Sequence, residues 1–462
     1  MQSVILENRI FSELAIGDKA SLTKTISMDD IMLYSRVSGD VNPAHLDKDF
    51  AESDTFKRIV AQGMLTAGLL SGVLGTKLPG PGTIYLGQDL RFRAPVAPGD
   101  TITATVTVAE LHPEKNHVVL DCVCVNEEGK EVLTGKASVL APTEKVKRPA
   151  ISLPEVSLMR HDLLRKLLDK ATSGKAMPTA IAYPCDEVSL LAATEAAQRG
   201  LIEPILVGPE ALIHETAAKY QMDISSFRIE PAATAEDAAR RAVELVHEGA
   251  AKALMKGALH TDVLLHEVVQ PTTGLRTSDR LSHVFVMDVP SYPKPLVITD
   301  AAVNIAPDLA VKACILQNAI DLAHIFGVEA PRVAVLAAVE TVNPHMQATL
   351  DAAALCKMAE RGQITGGIVD GPLAFDNAIS AAAAKQKHIN SPVSGLVDIL
   401  LVPDIEAGNM LAKQLTFLAN ADAAGVVLGA SVPIILTSRA DNDRARLASC
   451  AIAVIMAGAK NG

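Results

Sequence analysis

The alternation of apolar and polar residues changes period near residue 142. Before that point it is mostly two. From Ile84 to Arg93, Leu86, Gln88, Leu90 and Phe92 share a face opposite Gly87, Asp89, Arg91 and Arg93. From Thr101 to Val108, Ile102, Ala104, Val106 and Val108 alternate with threonines, and Val118, Leu120, Cys122 and Cys124 repeat the pattern. Glu131 to Leu140 is a fourth run. Such alternation predicts an antiparallel sheet with one covered face. Ahead of it, Gln62 to Gly72 has helical length and is apolar on nearly all sides, which predicts a buried helix. Gly68, Ser71, Gly72 and Gly75 recur at spacings of three and four, a stripe that a sheet can approach closely. A buried helix wrapped by an antiparallel sheet is an α+β hot-dog arrangement.

Pro142 to Pro154 breaks the rhythm with three prolines and the basic residues Lys145, Lys147 and Arg148. This predicts a first domain over 1–142, a linker over 143–154 and a second domain over 155–462. In the second domain, short apolar runs alternate with Ala-rich helical stretches. The runs begin near Ala180, Pro204, Ala253, Val284, Leu296, Val333, Gly367, Ile399, Gly425 and Pro433. That is βαβ grammar, hence an α/β domain with mainly parallel sheets. So many strands exceed a comfortable open sheet, so two α/β/α lobes are expected, the second over roughly 285–432. Lys256, Asp300, Glu340, Asp370, Asp404 and Ser438 follow strands. Each alone reads equally as a cap or turn, but together they predict a cleft lined by strand ends.

Composition narrows the function classes. The 462 residues are 49% hydrophobic and 21% charged, enough for two or three soluble cores. A formal charge of −11 with 3% aromatics argues against a nucleic-acid ligand. The N-terminus is not a secretory signal, and no uncharged apolar run spans a bilayer. The six cysteines lack zinc-type spacing, and a C-x-C on an alternating strand reads as core. A cytoplasmic protein without metal, redox cofactor, nucleic-acid or membrane partner is expected.

The densest chemistry lies in Gly39-Asp-Val-Asn-Pro-Ala-His-Leu-Asp47. Asn42-Pro43 favours a turn, which can bring Asp40 and His45 into one small volume. Alone, the pair reads as an ordinary surface turn; its flank changes that reading. Gly63 stands at the predicted start of the buried helix, where N–H groups lack intrahelical partners and can hold a developing oxyanion. With Gln62-Gly-Met-Leu65, Ser71-Gly72 and Pro79 to Gln88, this stretch makes residues Phe11 to about Ala141 resemble the MaoC-like, R-specific enoyl-CoA hydratases. The resemblance implies that Asp40 and His45 hold and activate water, that the Gly63 N–H polarises the thioester carbonyl, and that Asn42 and Ser71 contact the substrate.

Near the C-terminus, Thr437-Ser-Arg-Ala-Asp-Asn-Asp443 follows a strand and precedes a long helix. Ser438 is a candidate cap, and Arg439 a planar cation suited to phosphate. Met255-Lys-Gly257, Thr299 to Asn304, Asp370 to Asn377, Val402 to Leu411 and Pro433 to Arg439 make residues from about 155 to the end resemble phosphate acetyl/butyryltransferases. That resemblance implies acyl transfer between CoA and phosphate. Ser438 would stabilise the transition state and Arg439 bind the phosphate; Lys256, Arg280, Asp370 and Asp404 would contact substrate. Acetyl-specific members carry an acid where this chain has Ala445, so Asp441 becomes the candidate thiol base and the arrangement leans to the butyryl branch.

Together the resemblances imply a bifunctional enzyme acting on CoA thioesters and inorganic phosphate, with no bound cofactor. The alternative is an active hydratase whose second domain only binds CoA esters, as a regulatory or assembly module. Both families tend to self-pair, which predicts a homo-oligomer.

Overall fold

The computed structural model describes residues 5–152, 156, 158, 162–277, 280–436 and 442–459. The chain divides into two compact units, Met1–Leu158 and Met159–Gly462.

The first unit contains β1 (Ile5–Glu7), β2 (Lys19–Thr25), β3 (Ile84–Phe92), β4 (Thr101–His112), β5 (His117–Val125), β6 (Glu131–Leu140) and β7 (Lys147–Pro149). Five of these form an antiparallel sheet in the order β2-β4-β5-β6-β3. Strict alternation buries Ile102, Ala104, Val106 and Val108 on β4 and Val118, Leu120, Cys122 and Cys124 on β5. Against that face lies the helix Gly63–Thr76, burying Leu69, Leu70, Val73 and Leu74. This is the hot-dog arrangement.

Four details differ from the sequence reading. The helix turns its large residues to the sheet, while Gly68 and Gly75 meet nothing within 4 Å and Ser71 is exposed. The small-residue stripe therefore faces outward, because burying leucine removes far more apolar area from water than burying glycine. Strand β3 is an edge with a register shift between Tyr85 and Gly87, and Ile84, Tyr85, Leu86 and Phe92 stay exposed. Strand β2, which pairs with β4, was not anticipated; its mixed Lys/Thr/Ser composition hides it. The expected linker is not free along its length, since β7 pairs antiparallel with β1.

The second unit contains β8 (Met177–Ala182), β9 (Ile202–Gly208), β10 (Arg228–Pro231), β11 (Ala253–Lys256), β12 (Ser282–Asp288), β13 (Leu296–Thr299), β14 (Arg332–Leu336), β15 (Ile368–Leu373), β16 (Ile399–Leu401), β17 (Asp422–Leu428) and β18 (Ile434–Ile435). All ten expected strands are present. The addition is β10, a polar edge strand with no apolar run to betray it. They form one sheet in the order β10-β9-β8-β11-β18-β17-β12-β13-β16-β14-β15. The first five are mutually parallel, as are the last four. Between them, β18/β17, β17/β12 and β12/β13 are all antiparallel, so the two parallel sets run in opposite directions.

Each set has a core on both faces. Ile181, Leu206 and Met255 point into one cluster, and their neighbours Ala180, Ile205 and Leu254 into another. Val297, Val333 and Leu401 are likewise separated from Ile298, Ala334 and Leu400. The unit is thus two α/β/α lobes joined through one continuous sheet. The helix Asp443–Ala459 packs into cores of both lobes, with Ile452 in one and Cys450 in the other. Among the described residues no helix is long and apolar enough to cross a membrane.

Candidate functional site

In the first unit, local sequence aims the acid and the imidazole. The helix Met28–Ser38 is capped at its start by Ser27 and ends at Gly39, whose φ of 76° is the left-handed cap that glycine suits. The chain emerges at Asp40. Asn42 then caps a one-turn helix, Pro43–Leu46, accepting from Ala44 N at 3.1 Å, with Pro43 at the first helical position. That turn carries His45. Its Nδ1 lies 2.7 Å from the carbonyl oxygen of Val60. A carbonyl only accepts, so Nδ1 carries the proton and the neutral ring offers an Nε2 lone pair. Nε2 is 3.7 Å from Asp40 Oδ2, with side chains 14% and 44% exposed respectively. A water placed between the two acceptors can donate to both.

The pair opens on a cavity of about 660 Å³, lined also by Tyr34, Phe56, Gly63, Met64, Phe92 and Val132. Gly63 is the first residue of its helix, so its N–H has no intrahelical acceptor. A Cβ at Gly63 would lie 2.8 Å from the Phe92 ring, so a larger residue here would push that exposed ring aside. Sequence reasoning missed Gln62, which is buried beside it. Gln62 Nε2 donates to Ser35 Oγ at 2.8 Å and to Ile31 O at 3.4 Å, tying the Gly63 helix to the helix that leads to Asp40. Its signal was a lone polar residue at the head of an apolar helix.

The structure thus unites Asp40, His45 and Gly63 around one cavity. Ser71 and Asn42 are not among the lining residues: Ser71 lies on the helix's exposed side, and Asn42 is occupied as a cap.

In the second unit the expected residues are dispersed. Lys256 ends β11, and its Nζ donates to the carbonyls of Gly257 and Leu259. Asp300 and Asp404 follow β13 and β16, strands that run opposite to β11, whereas Asp370 lies within β15 and pairs with Ala334 instead of following the strand. The two groups of strand ends therefore point in opposite directions along the sheet. Asp404 caps the helix Ile405–Leu418, accepting from Ala407 N at 2.9 Å. It also lines a cavity of about 670 Å³ with Asp308, Gln347 and the buried Lys312–Asp351 ion pair. Asp370 accepts from Gly371 N. Glu340 accepts from Asn377 Nδ2 and Lys387, and the latter lowers its pKa from the ordinary glutamate value.

Arg280 is exposed and donates from Nε to Asn304 Oδ1 at 3.4 Å. Asn304 is tied in turn to Asp300. Burial pushes the nearby His283 imidazole down to about 4, against the opposing pull of Asp300.

Ser438, Arg439 and Asp441 lie outside the described residues. The helix that follows still corrects one expectation. The last helix begins at Asp443, and Asn442 Oδ1 accepts from Ala445 N at 2.8 Å, so Asn442 rather than Ser438 caps it. Ala445 is buried in the helix packing.

Known proteins account for both units. The family described as "Phosphate acetyl/butaryl transferase" matches residues 232–454, and that described as "MaoC like domain" matches 13–125. The phosphate acetyltransferase of Rhizobium meliloti is 59% identical over 292 residues, 63% of this chain and 92% of that protein. The crystal structure of a branched-chain phosphotransacylase from Enterococcus faecalis V583 aligns with a TM-score of 0.55 at 29% identity, covering 61% of this chain and 99% of its own. The unliganded R-hydratase of Pseudomonas aeruginosa is 42% identical, covering 34% of this chain and 99% of its own, with a TM-score of 0.33.

Proposed function

This chain belongs to the phosphate acetyl/butyryl transferase family, and on that premise we propose that it is a bifunctional CoA-thioester enzyme. The first unit hydrates a trans-2-enoyl-CoA to an (R)-3-hydroxyacyl-CoA. The second exchanges CoA for inorganic phosphate on an acyl group. The observation that carries the hydratase half is the fixed His45 tautomer, with Nε2 and the Asp40 carboxylate flanking one point on the wall of a cavity that also contains Gly63.

Water held by Nε2 and Asp40 attacks C3. Its oxygen bonds to carbon as Asp40 takes one proton, and the C2=C3 electron pair moves towards the thioester oxygen. The Gly63 N–H meets the negative charge there, a contact worth most in a site shielded from water. The proton then passes from the Asp40–His45 pair to C2, which places every atom of the water in the product and regenerates the pair.

For the second unit, the 59% identity to a protein named phosphate acetyltransferase favours acetyl-CoA as the acyl donor, against the butyryl lean drawn from Ala445. Phosphate adds to the thioester carbonyl and the thiolate of CoA leaves, with Ser438 and Arg439 assigned to transition state and phosphate. We propose domains over 1–142 and 155–462, a cytoplasmic setting, and a homo-oligomer. The apolar edge strand β3, with Ile84, Tyr85 and Leu86 unburied, supports self-pairing. Phosphate-dependent thiol release across a series of acyl-CoAs, with crotonyl-CoA hydration measured on the same preparation, tests both halves. Hydration without any phosphate-dependent release would sink the transferase half.

A further inference from the structure

We infer that Asn304 is a positioning residue that holds the guanidinium of Arg280 as a two-pronged fork for a phosphate group; this rests on the transferase reading above. Arg280 has an exposed side chain, yet it is not loosely attached. Its carbonyl accepts from Asn318 Nδ2 at 2.8 Å, and the same amide donates to Ser282 Oγ at 2.9 Å. Its Nε donates to Asn304 Oδ1 at 3.4 Å. Among the described residues neither Nη group has a partner.

Asn304 can serve as a mount because its own position is fixed. It is buried, and its Nδ2 donates to Leu281 O at 2.8 Å and Asp300 Oδ2 at 2.6 Å. Asp300 is also buried and accepts from the backbone N–H groups of Ala302, Val303 and Asn304. These bonds use up the amide's donors and leave its oxygen for Arg280, which fixes which way the amide points. The carboxylate, the amide and the guanidinium thus form a chain running from a buried turn to the surface.

A guanidinium bonded through Nε and free at both Nη atoms presents two parallel donors, the geometry that matches two oxygens of one phosphate. A structural arginine would spend those donors on carboxylates or carbonyls, as Arg241 does on Glu230, Glu244 and Glu248. The phosphate has two sources in the proposed reaction, the inorganic phosphate substrate and the phosphates of CoA.

The test is a double-mutant cycle on the full chain with Arg280→Ala, Asn304→Ala and both together. Phosphate and acyl-CoA KM are read in the transferase assay, and phosphate and CoA binding are followed by ³¹P line broadening and calorimetry. Each single change is expected to weaken one of the two ligands by about tenfold or more. The double variant should be no worse than Arg280→Ala within about twofold, because residues that act through one contact are not additive. Arg280→Lys keeps the charge but loses the fork, and Asn304→Ala should add nothing on top of it.

If inorganic phosphate is the ligand, its KM rises equally with CoA and dephospho-CoA esters. If the 3′-phosphate of CoA is the ligand, the acyl-CoA KM rises and the effect disappears with the dephospho ester. Factors that multiply in the double variant, or unchanged binding in Arg280→Ala, whose exposed side chain can be removed without disturbing the buried network, would overturn the proposal. A wild-type chain that binds phosphate or CoA through Arg280 but exchanges no acyl group would refute the transferase reading and leave this one standing.

Discussion

Asp40→Asn separates chemistry from folding more cleanly than any other single change in the first unit. The substitution keeps shape and volume. It also keeps an oxygen to accept from the backbone N–H of Asn42, which now lies 3.3 Å from Oδ1. With the carboxylate 44% exposed and 3.7 Å from Nε2, its pairing with His45 is screened by solvent, so the stability at stake is about 0.5 kcal/mol or less. The kinetic loss is of another size. A positioned base contributes about 10²- to 10⁴-fold, which is roughly 2.7–5.4 kcal/mol at 1.36 kcal/mol per decade. The assay is the loss of conjugated-thioester absorbance as crotonyl-CoA is hydrated. Melting temperature and acyl transfer, measured on the same sample, serve as controls. Adding His45→Gln should cost little more, since the two residues act on one water. Hydration by Asp40→Asn within threefold of wild type would refute the assignment, and so would a full second loss in the double variant.

Gly63→Ala places a methyl 2.8 Å from the Phe92 ring, forcing an outward shift of about 0.7 Å to reach ordinary contact; hydration should fall at least tenfold and recover when Phe92→Ala is added, and an equal loss in both variants would rule out the steric cause. Lys312→Met strands the buried carboxylate of Asp351, whose partner now lies 2.6 Å away, and should destabilise by about 3–5 kcal/mol; calorimetry should show most of that restored by adding Asp351→Leu. His283 is held neutral by burial, with its pKa pushed down to about 4 against about 6.5 in an unfolded chain. Between those values the unfolded state binds the extra proton, so stability is full above about pH 6.5 and is lost as pH falls towards 4, by a few kcal/mol. Melting curves of His283→Phe should show a shallower decline over that interval; an unchanged slope would count against the role.

What the sequence revealed, and what it hid, follows from where each signal resides. Period-two alternation exposes β4, β5 and β6 because one face of each is dry and the other wet. Strand β2 has lysines and threonines on an edge, and β10 begins with arginine and ends with proline, so neither carries that contrast. Asp40, His45 and Gly63 were legible because glycine, asparagine and proline dictate local geometry within a few residues. The strand-end residues of the second unit were read as one cleft on the assumption of a single strand direction. The three antiparallel pairings that reverse it depend on contacts between segments far apart in sequence, which no local pattern encodes. Gln62 and Asn304 stood inside quoted motifs, but their bonds to Ser35 and Arg280, 27 and 24 residues away, were not legible there.

The continuous sheet also has a mechanical implication. Strand β18 consists of only Ile434 and Ile435, and it meets each neighbour through two residue pairs. It is the narrowest rung in a ladder otherwise held by longer pairings, and the sheet is most compliant to bending where the fewest hydrogen bonds oppose it. The helix Asp443–Ala459 bridges the cores on either side and acts as a splint across that soft line. Stiffness at this seam is therefore set by a two-residue strand and one helix, and not by the charged residues proposed to contact substrate.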